Sequence, residues 1–178
     1  MLHTERLIIR KFSANDSNDL FEYLSLPDTY IFEPGNPITK EEAYNLCIER
    51  SKGDSFYAVE LRDTHKMIGH LYFAQTEPID FKTWELGYIF NPKFMNKGFC
   101  TESSKEIIQF AFNDLKTHRV EAFCNPLNDA SWHVLENIGM KREGFFKEKA
   151  FFRRDSENNP IWHDCYAYGI TSKDYLTR

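Results

Sequence analysis

Residues 91–102 read NPKFMNKGFCTE, and this stretch decides the predicted fold because it separates a β-strand from a long helix. Asn91-Pro92 ends an apolar segment, Gly98 lies between Lys and Phe, and Cys-Thr-Glu begins an amphipathic run. A loop of this kind can leave backbone N–H groups free at a helix N-terminus, where they and the helix dipole attract a phosphate. Alternatively, Gly98 only lets the chain turn.

Upstream of this loop the sequence predicts four strands and two helices. The first helix contains DLFEYL (19–24), and the second begins at a capping box formed by Thr39 and Glu42 and ends at Gly53. Segment 27–38 contains three prolines and is predicted to be a loop at the rim of a substrate site. The strands, which are rich in β-branched and aromatic residues, are predicted at 7–12, 56–61, 67–74 and 83–90.

Downstream of the loop, apolar residues recur at helical spacing over 101–115, and a short helix is capped by Asn128 and ends at Gly139. Segment 153–160 reads as an exposed turn. Further strands are predicted at 119–124, 140–152 and 165–170. The order β-α-α-β-β-β-α-β-α-β-β predicts an α/β (α+β) fold, in which a mixed sheet carries helices on its faces.

Length and composition describe one domain, 1–178, with enough apolar mass for a core, since 42% of the residues are hydrophobic and 16% aromatic. The four cysteines form no Cys-x-x-Cys pair, so we expect neither a zinc site nor a disulfide framework. A net charge of −5 without a dense Lys/Arg block argues against nucleic acid binding. No apolar run approaches the roughly 20 residues of a membrane span. We expect a cytoplasmic protein that binds no nucleic acid, membrane or metal.

A second stretch, NDASWHVLENIGM (128–140), follows one more predicted strand. Together the two stretches resemble the GNAT superfamily of acetyl-CoA-dependent N-acetyltransferases. The family's loop pattern, Gln/Arg-x-x-Gly-x-Gly/Ala, falls on 95–100, and its Asn-x-x-Ser/Ala pattern falls on Asn128 and Ser131. TERLIIRKF and WHDCYAYGI are similar to the branch that contains ribosomal-protein-alanine N-acetyltransferases. The resemblance implies the GNAT fold, with a mostly antiparallel twisted sheet of about seven strands and about four helices.

The resemblance also implies that acetyl-CoA is the cosubstrate. Met95 stands where the family usually has Gln or Arg, and Lys93, Lys97 and Lys105 either supply positive charge nearby or are solvated surface residues. The residues implied in cofactor binding, through a splayed strand, the loop and the later helix, are Tyr88, Ile89, Phe90, Met95, Asn96, Lys97, Gly98, Phe99, Cys100, Thr101, Asn128 and Ser131.

The implied reaction is direct transfer, in which an amine attacks the thioester and CoA leaves as a thiol. Strand alternation places Glu85, Gly87 and Ile89 on one face, so Glu85 is the predicted base, although it can also be an ordinary polar strand residue. Leu135 stands where many members have a Tyr acid. Ser131 is therefore the predicted proton donor to the thiolate, with helix capping or packing as its other interpretation.

The expected acceptor is a primary amine, above all the N-terminal amine of a protein or peptide. Two alternatives stay open: a small amine such as an aminoglycoside or a polyamine, and a non-catalytic acetyl-CoA-binding sensor. His133 reads as a surface residue that could also reach substrate, and His163 and Asp164 read as either capping groups or substrate contacts. Cys100 and Cys124 read as small core residues without a histidine partner. The chain is expected to act as a monomer or a homodimer.

Overall fold

Eight strands form a single sheet in the computed structural model, which describes residues 1–177. They are β1 (Leu2–His3), β2 (Leu7–Arg10), β3 (Phe56–Leu61), β4 (Met67–Gln75), β5 (Thr83–Phe90), β6 (Arg119–Cys124), β7 (Lys141–Arg154) and β8 (Pro160–Thr171). Their order across the sheet is β1-β2-β3-β4-β5-β6-β8-β7. All neighbours are antiparallel except β5 and β6, which run parallel. Arg178, the last residue of the predicted domain, lies outside the described residues.

Five α-helices lie in the described part of the chain: α1 (Ser17–Leu24), α2 (Lys40–Lys52), α3 (Phe99–Asn113), α4 (Asp129–Asn137) and α5 (Ser172–Leu176). The capping box predicted for α2 is present, since the Thr39 hydroxyl accepts from the Glu42 N–H and the Glu42 carboxylate accepts from the Thr39 N–H. Asn128 caps α4 by accepting the Ser131 N–H at 3.2 Å. Within residues 1–177, none of these helices has the length and apolar character needed to cross a bilayer.

The mixed and mostly antiparallel sheet confirms the predicted fold class. The structure has one more strand and one more helix than expected, β1 and α5, because elements of two and five residues show no readable periodicity. The hairpin of β7 and β8 is slightly longer than predicted, with Arg154 paired to Pro160, so the turn predicted at 153–160 is limited to residues 155–159. The sequence could not show that residues 153, 154 and 160 continue the strands, because both strands are largely exposed there and show no buried alternation.

The helices cover both faces of the sheet. On one face α3 and α4 pack against the central strands in the larger cluster of buried residues, which includes Leu86, Phe90, Ile107, Ile108 and Leu135. On the other face α1 and α2 cover a smaller cluster, which includes Phe12, Leu20, Tyr23, Cys47 and Met67. Consecutive strand residues alternate between the two clusters, so β5 sends side chains to both layers.

The central strands separate at one end of the sheet. β5 pairs with β4 along its whole length, from Trp84 to Phe90, but it pairs with β6 only over 83–85. Beyond that point β6 stays paired with β8 through Cys124. A gap therefore opens between the second half of β5 and the end of β6, directly before the loop 91–98.

Candidate active site

The gap between β5 and β6 opens into a cavity of about 350 Å³. Its walls come from β4, β5 and β6, from α2 and α4, and from the loop 27–38, which contributes Glu33 and Pro34. Ser131 and Leu135 of α4 lie at one side of it, and Arg50 of α2 at another. The cavity thus joins the two layers of the molecule through the opening in the sheet.

Backbone polar groups of β5 face this gap. At the start of the strand, the Thr83 carbonyl accepts a hydrogen bond from the Thr76 N–H at 2.9 Å. Just after its end, the Asn91 N–H donates to the Ile68 carbonyl of β4, also at 2.9 Å. In an antiparallel pair, alternate residues turn their N–H and C=O groups toward the same neighbour. The N–H and C=O groups of Leu86, Tyr88 and Phe90 therefore point toward β6, which is no longer paired with β5 at these positions. Ile89 turns its own toward β4 and contributes to the cavity lining.

The loop after β5 ends in a run of free backbone donors. Among residues 1–177, no acceptor receives a hydrogen bond from the six N–H groups from Asn96 to Thr101. Gly98 is the N-cap of α3 with φ +79°, Asn96 also has a positive φ, of 58°, and no side chain caps the helix. Six adjacent free donors at the positive end of a 15-residue helix form an anion-binding surface.

The acidic residue in the first turn of α3 is neutralised by a distant part of the chain. Arg6 Nε donates to Glu102 Oε2 at 2.7 Å, and its Nη1 donates to the Lys97 carbonyl at 3.1 Å. Burial alone would raise the pKa of Glu102, but hydrogen bonds from Thr4 and Arg6 outweigh it and lower the pKa. The carboxylate thus stays paired and the helix N-terminus keeps its attraction for an anion. Sequence reasoning missed Arg6, 92 residues before Gly98, because only the fold brings them together.

Three lysines were predicted near the loop, and two of them have local partners. Lys97 Nζ donates to the Lys93 carbonyl at 3.1 Å, and Lys93 Nζ lies 3.8 Å from a carboxylate oxygen of Glu22. Lys105 is exposed on α3. Met95 is 47% exposed at the start of the free N–H run, so its side chain leaves that surface open.

Glu85 lies in the cavity wall, on the same side of β5 as Gly87 and Ile89. Burial raises the pKa of Glu85, and the charge of Glu121, its partner in the parallel register, raises it further. Gly87 is opposite Tyr72 on β4, and a Cβ at that glycine would lie 3.5 Å from the Tyr72 side chain. A carboxylate with a raised pKa therefore lies beside a position without a side chain.

Tyr88 and Ser131 form a hydroxyl pair on the opposite side of β5. The Tyr88 hydroxyl donates to the Ser131 carbonyl at 2.8 Å and lies 3.1 Å from Ser131 Oγ. Burial raises the pKa of Tyr88 well above its ordinary value, so the phenol stays protonated. Leu135, where the family pattern has a tyrosine, is 1% exposed within the core. A phenol is thus present near Ser131, but it comes from β5 and not from α4.

Three further polar side chains of the cavity were not singled out from the sequence: Glu33, Arg50 and His70. Burial raises the pKa of Glu33 to about 7. His70 is 3% exposed, and its Nδ1 lies 2.6 Å from the Tyr23 hydroxyl. No local pattern marks these residues, because they come from a loop, a helix and a strand that are separated in the chain.

The remaining candidates lie outside the cavity lining. His133 is exposed and packs on Trp132 at 3.8 Å between ring centroids, whereas His163 Nδ1 lies 2.9 Å from Asn125 Nδ2. Asp164 accepts a backbone N–H at 2.8 Å. Burial raises the pKa of Cys100 to about 12 and that of Cys124 to about 11, so neither thiol is a ready nucleophile.

Comparisons with known proteins agree along nearly the whole chain. Residues 6–141 match the acetyltransferase (GNAT) domain. The chain is 34% identical over 174 residues to the uncharacterized N-acetyltransferase YnaD of Bacillus subtilis (strain 168), covering 97% of each protein. A crystal structure of an acetyltransferase (GNAT family) from Bacillus anthracis superposes with a TM-score of 0.87 at 32% identity, over 97% of this chain and 98% of that one. The [ribosomal protein uS5]-alanine N-acetyltransferase of Escherichia coli (strain K12) is 24% identical over 185 residues, which cover 98% of this chain and 92% of that protein.

Proposed function

The chain belongs to the acetyltransferase (GNAT) family, and we propose that it transfers the acetyl group of acetyl-CoA to the N-terminal amine of a protein or peptide. Membership confirms the resemblance read from the two sequence stretches and makes the protein an acyltransferase. The observation that carries the proposal is the open gap between β5 and β6, which lies directly before the loop with the free N–H groups and opens into the cavity that Glu85 lines.

The residues present fit the cofactor. The free N–H groups from Asn96 to Thr101 would hold the phosphates, with the ammonium of Lys97 nearby to balance their charge. The outward-turned backbone of Tyr88 and Phe90 would pair with the amide-bearing arm. Asn128 and Ser131 lie at the first turn of α4, beside the cavity. Acetyl-CoA supplies an acyl group already activated as a thioester.

Glu85 is the proposed proton acceptor for the substrate amine. Its raised pKa brings it closer to neutral pH, where a general base is most effective. An α-amino group with a pKa of roughly 8 is already partly neutral at pH 7, so a weak base is sufficient. Gly87 leaves room beside the carboxylate for the reacting groups.

Ser131 is the proposed proton donor to the departing sulfur. Its Oγ lies 3.1 Å from the Tyr88 hydroxyl, which stays protonated and holds Ser131 in place by donating to the Ser131 carbonyl. A thiol of pKa about 8.5 leaves readily, so this step needs little acid strength. A weak acid is therefore sufficient, and the reaction does not need the tyrosine that many family members have at the position of Leu135.

The acceptor is proposed from two observations that favour different candidates. A protein N-terminus is supported by the similarity to a relative whose name states that it acetylates a ribosomal-protein alanine. A small cationic amine is the second candidate, because Glu33 and Glu85 both line the cavity and their carboxylates attract positive charge.

The proposed location is the cytoplasm. All four cysteines are free, which fits a reducing compartment. A monomer or a homodimer is the proposed state of the protein.

Thermal melts with acetyl-CoA test the cofactor assignment, with ATP as a phosphate-bearing control. At 100 times the dissociation constant, a ligand stabilises by about 2.7 kcal/mol, which raises the melting temperature of a chain of this size by roughly 5 to 10 °C. We expect this shift with acetyl-CoA and little change with ATP. No shift at millimolar acetyl-CoA would contradict the proposed function before any acceptor was tried.

A further inference from the structure

Arg50 places a guanidinium in the cavity wall without an anionic partner. The group lies over the Phe56 ring at 4.2 Å and over the Phe12 ring at 5.4 Å, and its Nη1 is buried without a hydrogen-bond partner. Among the described residues, no carboxylate lies within 4 Å of it. Arg50 is half-buried. Its buried Nη1 without a hydrogen-bond acceptor is costly, and the aromatic contacts offset only part of that cost.

His70 supplies a second donor on the same wall. Tyr23 is fully buried, and its hydroxyl has one hydrogen-bond partner among residues 1–177, His70 Nδ1 at 2.6 Å. A buried phenol needs an acceptor for its proton, so Tyr23 donates to Nδ1 and the neutral ring carries its own proton on Nε2. Burial, and next the charge of Arg50, lower the pKa of His70 and keep the ring neutral. The imidazole N–H and the guanidinium therefore line one cavity as donors that lack acceptors.

We infer that the acceptor substrate carries a carboxylate close to its amine, and that Arg50 and His70 bind this carboxylate while the amine faces Glu85. The inference rests on the proposed function and specifies its substrate class. A guanidinium matches a carboxylate through two parallel N–H···O bonds, and an imidazole N–H can add a third. A polyamine, which bears only positive charge, leaves both donors unpaired and meets the repulsion of Arg50.

The acidic residues of the cavity are compatible with a bound anion. Glu33 has its pKa raised to about 7 by burial, so it is about half protonated at neutral pH and repels a carboxylate less than an ordinary glutamate does. Glu85, on β5, remains for the amine. The cavity can thus hold the two opposite charges of an amphoteric substrate.

Two sources can supply the carboxylate: the α-carboxylate of a free amino acid, or the side chain of an acidic residue at a peptide N-terminus. Two matched pairs of compounds distinguish these sources. Alanine and alaninamide test the α-carboxylate of a free amino acid. The C-terminally amidated peptides Asp-Ala-Ala and Asn-Ala-Ala test an acidic side chain at a peptide N-terminus. For each compound we would measure kcat/KM by the release of CoA thiol from acetyl-CoA. The melting-temperature shift that each compound causes without acetyl-CoA gives a second readout.

The variants are Arg50→Met and, as a matched control, Lys52→Met, which removes an exposed cation from the same helix turn. We expect the carboxylate member of at least one pair to exceed its amide by about 10- to 100-fold in kcat/KM, the range for charged hydrogen bonds. This ratio should fall to near one in Arg50→Met and remain unchanged in Lys52→Met. The thermal shifts should follow the same order.

The inference is overturned if neither pair shows a preference in the wild-type protein, by rate or by thermal shift, or if the preference survives in Arg50→Met. A wild-type protein that acetylates spermidine better than every carboxylate compound overturns it as well. Such a result leaves acetyl transfer from acetyl-CoA intact, since CoA is still released, and favours the small cationic amine as the acceptor. Absence of any acetyl-CoA binding contradicts the proposed function, and the thermal shifts without acetyl-CoA then still decide the inference.

Discussion

Glu85 and Tyr88 are three residues apart on β5, so their side chains lie on opposite faces of the sheet. This separates the proposed base from the hydroxyl pair formed with Ser131. Burial raises the pKa of both residues, but with opposite consequences for their chemistry. The carboxylate becomes a better base near neutral pH, whereas the phenol becomes a group that keeps its proton.

Glu85→Gln removes the proposed base with little change of shape. We expect kcat to fall by about 100-fold or more, the range of general base catalysis, with the acetyl-CoA thermal shift retained. In the wild-type protein kcat/KM should fall as the pH decreases through the raised pKa of Glu85, because the protonated carboxyl cannot accept a proton. That acid limb should therefore lie above the ordinary glutamate pKa of about 4.3. Steady-state CoA release between pH 5 and pH 9 measures both effects.

Glu157→Gln is the matched control, because Glu157 is exposed in the turn between β7 and β8, outside the cavity lining. It should keep the wild-type rate and pH profile. Equal rates for Glu85→Gln and the wild-type protein would contradict the assignment of the base.

At the scale of elements, the junction of β5, the loop and α3 combines two local features. Asn91 turns its N–H to β4, and Pro92 follows it in a short 3-10 helix, so the strand ladder ends there. Gly98, with φ +79°, then begins α3 without a side-chain cap. The result is a loop whose N–H groups remain free beside the open end of the β5 and β6 pair.

Gly98→Ala tests this junction. An L-residue in the left-handed region costs about 1–2 kcal/mol, and the added Cβ would lie 3.4 Å from Arg6 Nη2. We expect a loss of about 1 kcal/mol in the free energy of unfolding and a smaller thermal shift with acetyl-CoA, because the loop N–H groups move. Urea unfolding and the melt with acetyl-CoA measure the two effects.

Gly53→Ala is the control for Gly98→Ala, because Gly53 ends α2 with φ −96° and a Cβ there would meet nothing within 4 Å. Its unfolding free energy should stay within about 0.5 kcal/mol of wild type. An unchanged acetyl-CoA shift in Gly98→Ala would count against the loop as the phosphate site.

At the scale of the whole molecule, the sheet separates two cores of unequal size, and α3 anchors the larger one. Ile107→Ala deletes a fully buried side chain of α3 and should cost about 2–5 kcal/mol of unfolding free energy. Leu176→Ala, at a position that is 78% exposed in α5, should change it by no more than about 0.5 kcal/mol. Urea denaturation compares them, and similar midpoints for the two variants would contradict the assignment of the core.

The sequence by itself determined the fold class, the strand and helix order and the family, because these depend on local patterns. The alternation of TWELGYIF, the capping box at Thr39 and the Gly98 loop each act within a few residues, so they can be read without neighbours in space. Strand alternation identified Glu85 and the family resemblance indicated Ser131 as candidate catalytic residues, and their roles remain predictions. The short elements β1 and α5 were not predicted, since two and five residues are too few to show a periodic pattern.

The tertiary structure alone decided where the sheet opens and which distant groups meet there. The separation of β5 from β6 depends on β6 staying paired with β8, a relation between strands that no local spacing encodes. Arg6 reaches the α3 N-terminus, Tyr88 reaches Ser131, and Arg50 lies beside His70, each across a long interval of sequence. Side-chain contacts between remote segments are set by packing and burial of the complete chain, and for that reason the site's charge balance was visible only in the folded molecule.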